Sequence, residues 1–404
     1  MRAGAVIVAA GTGTRMGGPK QFLPLCGRPV VEWSLATFLV IPEVEHIVLV
    51  LTPENVAEHG GRLASDRVRV VEGGATRMDS VRQGLAALPT EADIVAIHDG
   101  ARPLVTQEVV RATLEEAYES GAALPAVAVK DTLKKVTVKD LWVSSTPLRS
   151  PFWLAQTPQC YRREILDDAL AMFAQDRKAT DESQLIERAG HKVKIVPSTH
   201  ENIKITTPED ITIAEAFLRR RFPELAPEPR SGFGFDIHRL VEGRELWLAG
   251  VRIPHSKGLL GHSDGDAALH AACDAVLGAA GLGEIGLFYP PEDPNIKGIP
   301  SKDIVSSVLA KLHSCGAALR HIDVTLLAEE PRLQPHYDAM KASLACVWGL
   351  EEGRVSLKAK SHEGLGEVGR GEAIACYAVA TVLIPGALKD SQALQSPAPD
   401  SDGP

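Results

Sequence analysis

Cysteine is sparse in this sequence and never paired along the chain. Six are scattered through 404 residues, Cys26, Cys160, Cys273, Cys315, Cys346 and Cys376, and no two form C-x-x-C. In a chain of this size that pattern excludes a disulfide framework and reads as the reduced thiols of a cytoplasmic protein. No apolar run approaches the ~20 residues of a membrane span. Excess positive charge is lacking too: 43 Lys and Arg against 52 Asp and Glu leave a net charge of −9. Without a basic arm or stripe, nucleic acid is excluded as a main partner. Any phosphate binding has to come from a few placed cations. Internal repeats are absent. The opening "MRAGAVIVAAG" resembles a secretory leader only superficially: its apolar run is short and Gly, Arg and Lys follow at once, so it reads as a first core strand.

What is present is an ordinary globular composition, 45% hydrophobic and 24% charged, at a length that predicts two or three domains. In the first half, short runs rich in Val, Ile and Ala ("AVIVAA", "HIVLVL", "DIVAIHDGARP") alternate with amphipathic stretches such as "TQEVVRATLEEAYESG". That alternation predicts a doubly wound, mostly parallel α/β sheet, with ligands at the carboxyl ends of its strands. "PELAPEPRSG" has three prolines in ten residues and reads as a linker. Beyond it lie new strands ("GFGFDIHRL", "HIDVTLLAEE") and new helices ("SDGDAALHAACDAVLGAAG"), which predict an α+β sandwich. The expected division is 1–222, a linker at 223–231, 232–387, and a polar, Pro-rich disordered tail at 388–404.

The stretch "AVIVAAGTGTRMGGPKQFLPL" runs from a strand into a glycine-rich loop carrying Arg15 and Lys20. It lacks the Walker pattern. It also fails the dinucleotide fingerprint, because a basic residue intrudes and no acid ends a second strand at the usual distance. What remains is backbone N–H groups able to wrap phosphates and two cations able to neutralise a triphosphate; the plain alternative is a turn with two solvated cations. "HDGARP" puts Asp99 just after a strand, where it can hold a divalent cation between phosphates. Ser80 follows a second glycine turn in "EGGATRMDSV", and Arg149 and Lys204 add further cations.

Together "AAGTGTRMGGPKQFLPL", "GGATRMDSV", "HDGARP", "KDTLK", "TPQ", "TDESQLIE" and "NIKIT" occur in the order found in 2-C-methyl-D-erythritol 4-phosphate cytidylyltransferases, which residues 1 to about 220 resemble. The resemblance implies a nucleotidyltransferase fold with a protruding β-arm. It implies that Arg15 and Lys20 grip CTP and the pentavalent phosphorus and that Asp99 binds Mg²⁺. It places Gly11, Gly74 and Ser80 on the cytidine, and Arg149 and Lys204 on methylerythritol phosphate. It further implies an arm reaching a second subunit, with Thr132 and Arg102 contacts. The family's "HDAARP" reads "HDGARP" here. The chemistry suits the residues: an anionic phosphate monoester attacks the α-phosphorus, so no strong general base is needed.

In the second half "FDIHRL" sets Asp236 and His238 two apart on a strand, facing one side. "HSDGDAALHAACD" adds His262, Asp264, Asp266, His270 and Asp274, the last two at i, i+4 on one helix face. One carboxylate and two imidazoles with an open fourth position is the pattern of a catalytic zinc site. The alternative is a capped helix with buried, hydrogen-bonded histidines. "GFGFDIH", "GLLGHSDGDAALHA", "IDVTLLAEEPRL" and "KAKSHEGLG" resemble 2-C-methyl-D-erythritol 2,4-cyclodiphosphate synthase over residues 232 to about 386.

That resemblance implies Zn²⁺ on Asp236, His238 and His270, the first two also touching substrate. It puts catalytic His262, with Ser263, over the substrate phosphate. Ala328 to Leu333, including Pro331, would cradle the cytosine. Catalytic Ser361, with Glu363 and Arg370, would meet the CDP phosphates. Glu284, Ile285, Gly286 and Glu367 join the substrate set. Mg²⁺ or Mn²⁺ would bridge phosphates in the cyclisation. Departures from the pattern are "KSHE" for "TTTE", Glu284 for Asp, Pro291 for an acid, and Glu367 for Phe.

The reading is a bifunctional enzyme of isoprenoid precursor synthesis, without the kinase step that separates its two reactions; docking of that kinase is a further partner to consider. Combining the two-fold contact of the first family with the three-fold contact of the second implies a homo-hexamer. The alternatives are a nucleotidyltransferase of another sugar phosphate fused to an unrelated zinc enzyme, and a nucleotide-binding module with a structural zinc domain. The last needs a fourth ligand that no Cys or His supplies at standard spacing.

Overall fold

A computed structural model describes residues 1–11, 13, 16, 18–174, 179–261, 263–290 and 298–387. The chain divides into two compact units, Met1–Leu225 and Ala226–Gly386. All six cysteines are free. No helix among the described residues is long and apolar enough to cross a membrane.

The first unit alternates β1 (Ala3–Ala9), α1 (Val30–Leu39), β2 (Val44–Leu51), α2 (Pro53–Leu63), β3 (Val68–Glu72), α3 (Arg77–Ala87), β4 (Ile94–Asp99), α4 (Gln107–Ser120) and β5 (Ala122–Ala128). A small hairpin follows, β6 (Lys135–Val136) and β7 (Val143–Ser145), then β8 (Trp153–Ala155), β9 (Gln159–Arg162), α5 (Arg163–Met172), α6 (Glu182–Arg188), β10 (Lys194–Pro197) and α7 (Pro208–Arg221). The sheet runs β8-β5-β9-β4-β1-β2-β3, with β10 also on β5. β1, β2, β3 and β4 are parallel, β10 is parallel to β5, and β8 and β9 run against their neighbours. The expected mostly parallel sheet is therefore observed. In register, Val8 of β1 stands opposite Asp99, the last residue of β4, which sets that carboxylate beside the opening loop. The β6–β7 hairpin projects as an arm, with Val138, Leu141 and Trp142 exposed.

Helix starts are written in local chemistry. Thr76 and Asp79 form a reciprocal capping box at α3, and the Thr106 side chain caps α4.

The second unit contains β11 (Glu228–Glu242), α8 (Ala267–Ala280), α9 (Ser301–Ser314), β12 (Ala318–Leu327), α10 (Tyr337–Trp348), β13 (Val355–Lys360) and β14 (Ala373–Ile384). Its five-stranded sheet runs Lys257–Leu259, β11, β14, β12, β13. The segment read as a linker is not all linker. Pro223–Leu225 is a 3-10 turn, and Glu228 to Ser231 already pair with Ile384 to Thr381. Pro229 falls where β11 has β14 on one side and, among the described residues, no paired strand on the other, the kind of position where proline is tolerated.

Two glycines fix how closely the Ala-rich helix α8 lies on β11. A Cβ on Gly232 would overlap the Ala275 carbonyl oxygen. One on Gly234 would overlap the Ala271 carbonyl oxygen and come 2.7 Å from the Ala275 nitrogen. The helix side is Ala271, Ala272, Ala275 and Ala279, all buried. This close approach carries His270 onto the strand residues Asp236 and His238.

Gly234→Ala therefore has no room without moving helix α8. Overpacking of this kind costs about 1–3 kcal/mol, and the second unit should melt several degrees lower by calorimetry. A melting temperature equal to that of the parent would contradict the close packing.

Candidate active sites in the two units

In the first unit a cleft of about 310 Å³ opens at the carboxyl ends of the strands, lined by Gly11, Lys20, Gly74, Ser80, Asp99 and Lys204 among others. Six residues singled out in the sequence thus meet in one place. Gln21 anchors the opening loop by donating to the carbonyls of Ala9 and Gly11. Lys20 Nζ donates to the Ile205 carbonyl at 2.6 Å. Ser80 Oγ accepts from the Gly74 N–H at 3.1 Å and donates to the Thr76 carbonyl at 3.0 Å, tying the second glycine turn to α3. Arg15 lies outside the described residues.

Asp99 is buried and met by three cations: Lys204 Nζ at 2.8 Å, Arg77 Nε at 3.2 Å and Arg102 Nε at 3.8 Å. Burial alone would raise its pKa; Arg77, Lys204 and Arg102 outweigh it and hold the carboxyl well below the usual carboxylate range. Arg77 also bonds Glu182 at 2.7 Å, and Glu182 has no exposed surface. Burial works against the Arg77 charge, but the two acids prevail and raise its pKa. For Glu182 burial wins over Arg77, and its pKa is raised.

Behind Asp99 a neutral chain of hydrogen bonds fixes its backbone. The Asp99 N–H donates to Thr157 Oγ1 at 3.1 Å, and Thr157 Oγ1 lies 3.0 Å from His98 Nδ1. His98 Nε2 faces the Arg102 carbonyl at 3.3 Å, so Nε2 carries the proton and Nδ1 accepts. Burial pushes the His98 pKa down to about 3, keeping the ring neutral.

Sequence reasoning quoted the motifs of Arg77, Thr157 and Glu182 without giving them roles. One signal was available. Arg77 is a cation in the first turn of a helix, where the dipole disfavours it, and such a misfit calls for acids nearby. The remaining first-unit residues are not brought to the cleft: Thr132 and Arg149 are exposed on the segment bearing the arm, Arg149 donating to the Lys130 carbonyl.

In the second unit Asp236 Oδ2 lies 2.9 Å from His238 Nε2 and 3.0 Å from His270 Nδ1, and those two nitrogens are 3.2 Å apart. Three donor atoms converge as one face of a small polyhedron, a donor set and spacing able to hold a metal ion. Burial would raise the Asp236 pKa, but hydrogen bonds from the two imidazoles outweigh it and hold it well below the usual range. Ser263 Oγ is 3.0 Å from His270 Nε2. Asp266 caps α8 through the N–H groups of Ala268 and Leu269, and Asp274 accepts from the Ile285 N–H at 2.7 Å.

Other expected residues lie on exposed loops. Ser361 Oγ pairs with Glu363 at 3.2 Å, and Arg370 pairs with Glu372 and Glu367. Ala328 and Pro331 follow β12 with Leu333 buried beneath, and Glu284 precedes a short helix, Ile285–Phe288, that contains Gly286. His262 and Pro291 lie outside the described residues.

The fold and these two clusters define a nucleotidyltransferase unit joined to a metalloenzyme unit. A family model described as 2-C-methyl-D-erythritol 4-phosphate cytidylyltransferase (IspD) matches residues 3–220, and the YgbB family model matches residues 229–383. The chain belongs to the IspD family over its first half and the YgbB family over its second, in the arrangement of bifunctional IspD/IspF enzymes. One such enzyme from Desulforudis audaxviator is 45% identical, covering 95% of this chain and 98% of that protein; another from Rhodopseudomonas palustris (strain BisB5) is 40% identical, covering 95% and 97%. Among solved structures, 4-diphosphocytidyl-2C-methyl-D-erythritol synthase from Anaerococcus prevotii is 34% identical with a TM-score of 0.50, covering 54% of this chain and 96% of that one. The bifunctional IspDF from Campylobacter jejuni is 30% identical over 95% of this chain and 99% of that one, with a TM-score of 0.46.

Arg77→Ala leaves Glu182 buried without a counter-charge. Breaking one side of a buried pair costs about 3–5 kcal/mol, so calorimetry should find the first unit strongly destabilised. Arg77→Met with Glu182→Leu should recover much of the loss. A single variant within about 1 kcal/mol of the parent would refute the pairing.

Proposed function

We propose that this chain performs two steps of isoprenoid precursor synthesis by the methylerythritol phosphate route. The first unit transfers CMP from CTP to 2-C-methyl-D-erythritol 4-phosphate and releases pyrophosphate. The second cyclises 4-diphosphocytidyl-2-C-methyl-D-erythritol 2-phosphate to 2-C-methyl-D-erythritol 2,4-cyclodiphosphate and releases CMP. The observation that carries this reading is the presence in one chain of a cation-ringed carboxylate, Asp99, in a glycine-lined cleft, and of the Asp236, His238, His270 triad.

In the first reaction an oxygen of the methylerythritol phosphate forms a bond to the α-phosphorus as the bond to pyrophosphate breaks. Lys20, with Arg15, stabilises the charge developing there, while Gly11, Gly74 and Ser80 hold the cytidine. Arg149 and Thr132 of the arm, with Lys204 and Arg102, position the acceptor. Asp99 would hold Mg²⁺, which would neutralise charge between the phosphates; Lys204, now 2.8 Å from one Asp99 oxygen, is placed to turn to a phosphate.

In the second reaction an oxygen of the 2-phosphate forms a bond to the β-phosphorus as the bond from that phosphorus to the departing CMP breaks. Asp236, His238 and His270 would hold Zn²⁺, which would supply Lewis acidity toward the β-phosphate, and Mg²⁺ or Mn²⁺ would supply neutralising charge to the phosphates. His262, Ser263, Ser361, Glu363, Glu367 and Arg370 orient the phosphates. Ala328, Pro331 and Leu333 receive the cytosine, with Glu284, Ile285 and Gly286 at the other end of the substrate. The protein acts in the cytoplasm.

Lys20→Ala should abolish pyrophosphate release from CTP and leave cyclisation intact, since loss of one preorganised cation costs about 3–4 kcal/mol of barrier. His238→Ala should do the reverse and lose its zinc by elemental analysis. Near-normal CTP turnover in the first variant, or stoichiometric zinc in the second, would overturn the assignments.

The assembly is a dihedral hexamer, two trimers bridged by three dimers. Two separate apolar surfaces support it: the arm of the first unit, where Trp142 is 74% exposed, and the outer face of the β11–β14 sheet, where Phe233, Phe235 and Tyr377 cluster. Light scattering should find six copies of the 43.2 kDa chain. A stable monomer, or a trimer that persists at micromolar concentration, would rule this out.

A further inference from the structure

His270 turns Nδ1 toward Asp236 and His238, so its other nitrogen, Nε2, points away from the triad. What holds Nε2 comes from helix α9. Ser301, the first residue of that helix, is fully buried, and its Oγ lies 2.9 Å from His270 Nε2. Behind it stands Asp264. Ser301 Oγ donates to Asp264 Oδ1, and the Ser301 N–H donates to Asp264 Oδ2 at 3.0 Å. The directions of these bonds are forced. The serine proton goes to the carboxylate, which only accepts when ionised, so the serine oxygen is left to accept from His270 Nε2–H. That keeps a proton on Nε2, so Nδ1, which in the metal-free site shares its proton with Asp236, is the nitrogen that would give it up to ligate. Ser263 Oγ also faces Nε2, at 3.0 Å, but it accepts the Gly265 N–H and has the Ser301 hydroxyl, at 3.4 Å, beside it in place of a carboxylate.

We propose that Ser301, backed by Asp264, is a positioning residue for the metal site: it fixes the tautomer and ring orientation of His270 and thereby strengthens metal binding by the triad. The proposal rests on the reading of Asp236, His238 and His270 as metal ligands. Outer hydrogen-bond partners of ligating histidines typically contribute 10–100-fold to metal affinity. The role needs no contact with substrate. Ser301 reaches the site from a helix 31 residues beyond its partner, which is why no local motif reveals it.

The test uses the full chain. Zinc affinity is measured at one pH by competition with a chromogenic chelator for the parent, Ser301→Ala, Asp264→Asn and Ser306→Ala. Ser306 lies on the same helix, exposed, its hydroxyl donating to the Lys302 carbonyl, and serves as control. Zinc binding by the parent that is lost in His270→Ala establishes the triad; a parent that binds no zinc refutes the triad itself. Given a zinc-binding parent, Ser301→Ala and Asp264→Asn should bind zinc roughly 10–100-fold more weakly. Their metal-free melting temperatures should stay near that of the parent, and the visible band of the cobalt-loaded protein should shift. Ser306→Ala should match the parent. Affinities within about twofold of the parent would overturn the proposal, as would losses that merely track a lower metal-free melting temperature with the cobalt band unmoved. Asp264→Asn, a near-isosteric change, decides the matter if Ser301→Ala does not fold.

Discussion

Each unit of this protein is organised around a carboxylate that is buried, Asp99, or partly buried, Asp236, yet kept ionised. Such a group is costly to bury unless cations or hydrogen-bond donors compensate it. Asp99 is compensated by Lys204, Arg77 and Arg102. That solution creates a second demand, because Arg77 is itself largely buried, and Glu182 answers it. Asp236 is compensated by the imidazoles of His238 and His270. Both carboxyls titrate below the ordinary range, so the stability they contribute is present above the unfolded carboxylate pKa and is lost as pH falls through the folded value.

The backbone delivers these groups with few devices. Asp99 ends a strand beside the central β1, where the doubly wound sheet presents the carboxyl ends of its strands to the cleft. In the second unit Gly232 and Gly234 let an alanine-faced helix descend onto a strand. The placement of His270 is a consequence of that descent, and the same helix carries its cap, Asp266, into the loop before it.

Much of this was legible in the sequence because it is local. Alternating strand and helix patterns, Asp99 at the end of an apolar run, and Asp236 and His238 two residues apart are properties of short windows. What escaped is what depends on distant partners. Glu182 sits in "TDESQLIE" like any surface acid of a helical segment, and only the fold shows it without exposed surface beneath Arg77. His98 reads as one more polar residue of "HDGARP" until Thr157 arrives 59 positions later. The prolines of "PELAPEPRSG" suggested a linker, yet part of it is the start of β11, paired there with β14 alone among the described residues, where proline is tolerated.

The central claim is that two distinct phosphorus chemistries reside at these two compensated carboxylates in one polypeptide. Product identification by ³¹P NMR on the purified, unmodified chain tests it most directly. Supplied with CTP, methylerythritol 4-phosphate and Mg²⁺, the chain should yield pyrophosphate and the cytidyl diphosphate ester. Supplied separately with the 2-phosphorylated ester and Zn²⁺ plus Mg²⁺, it should yield a cyclic diphosphate and CMP. Resonances of the first products without the second, or of the second without the first, would contradict the account.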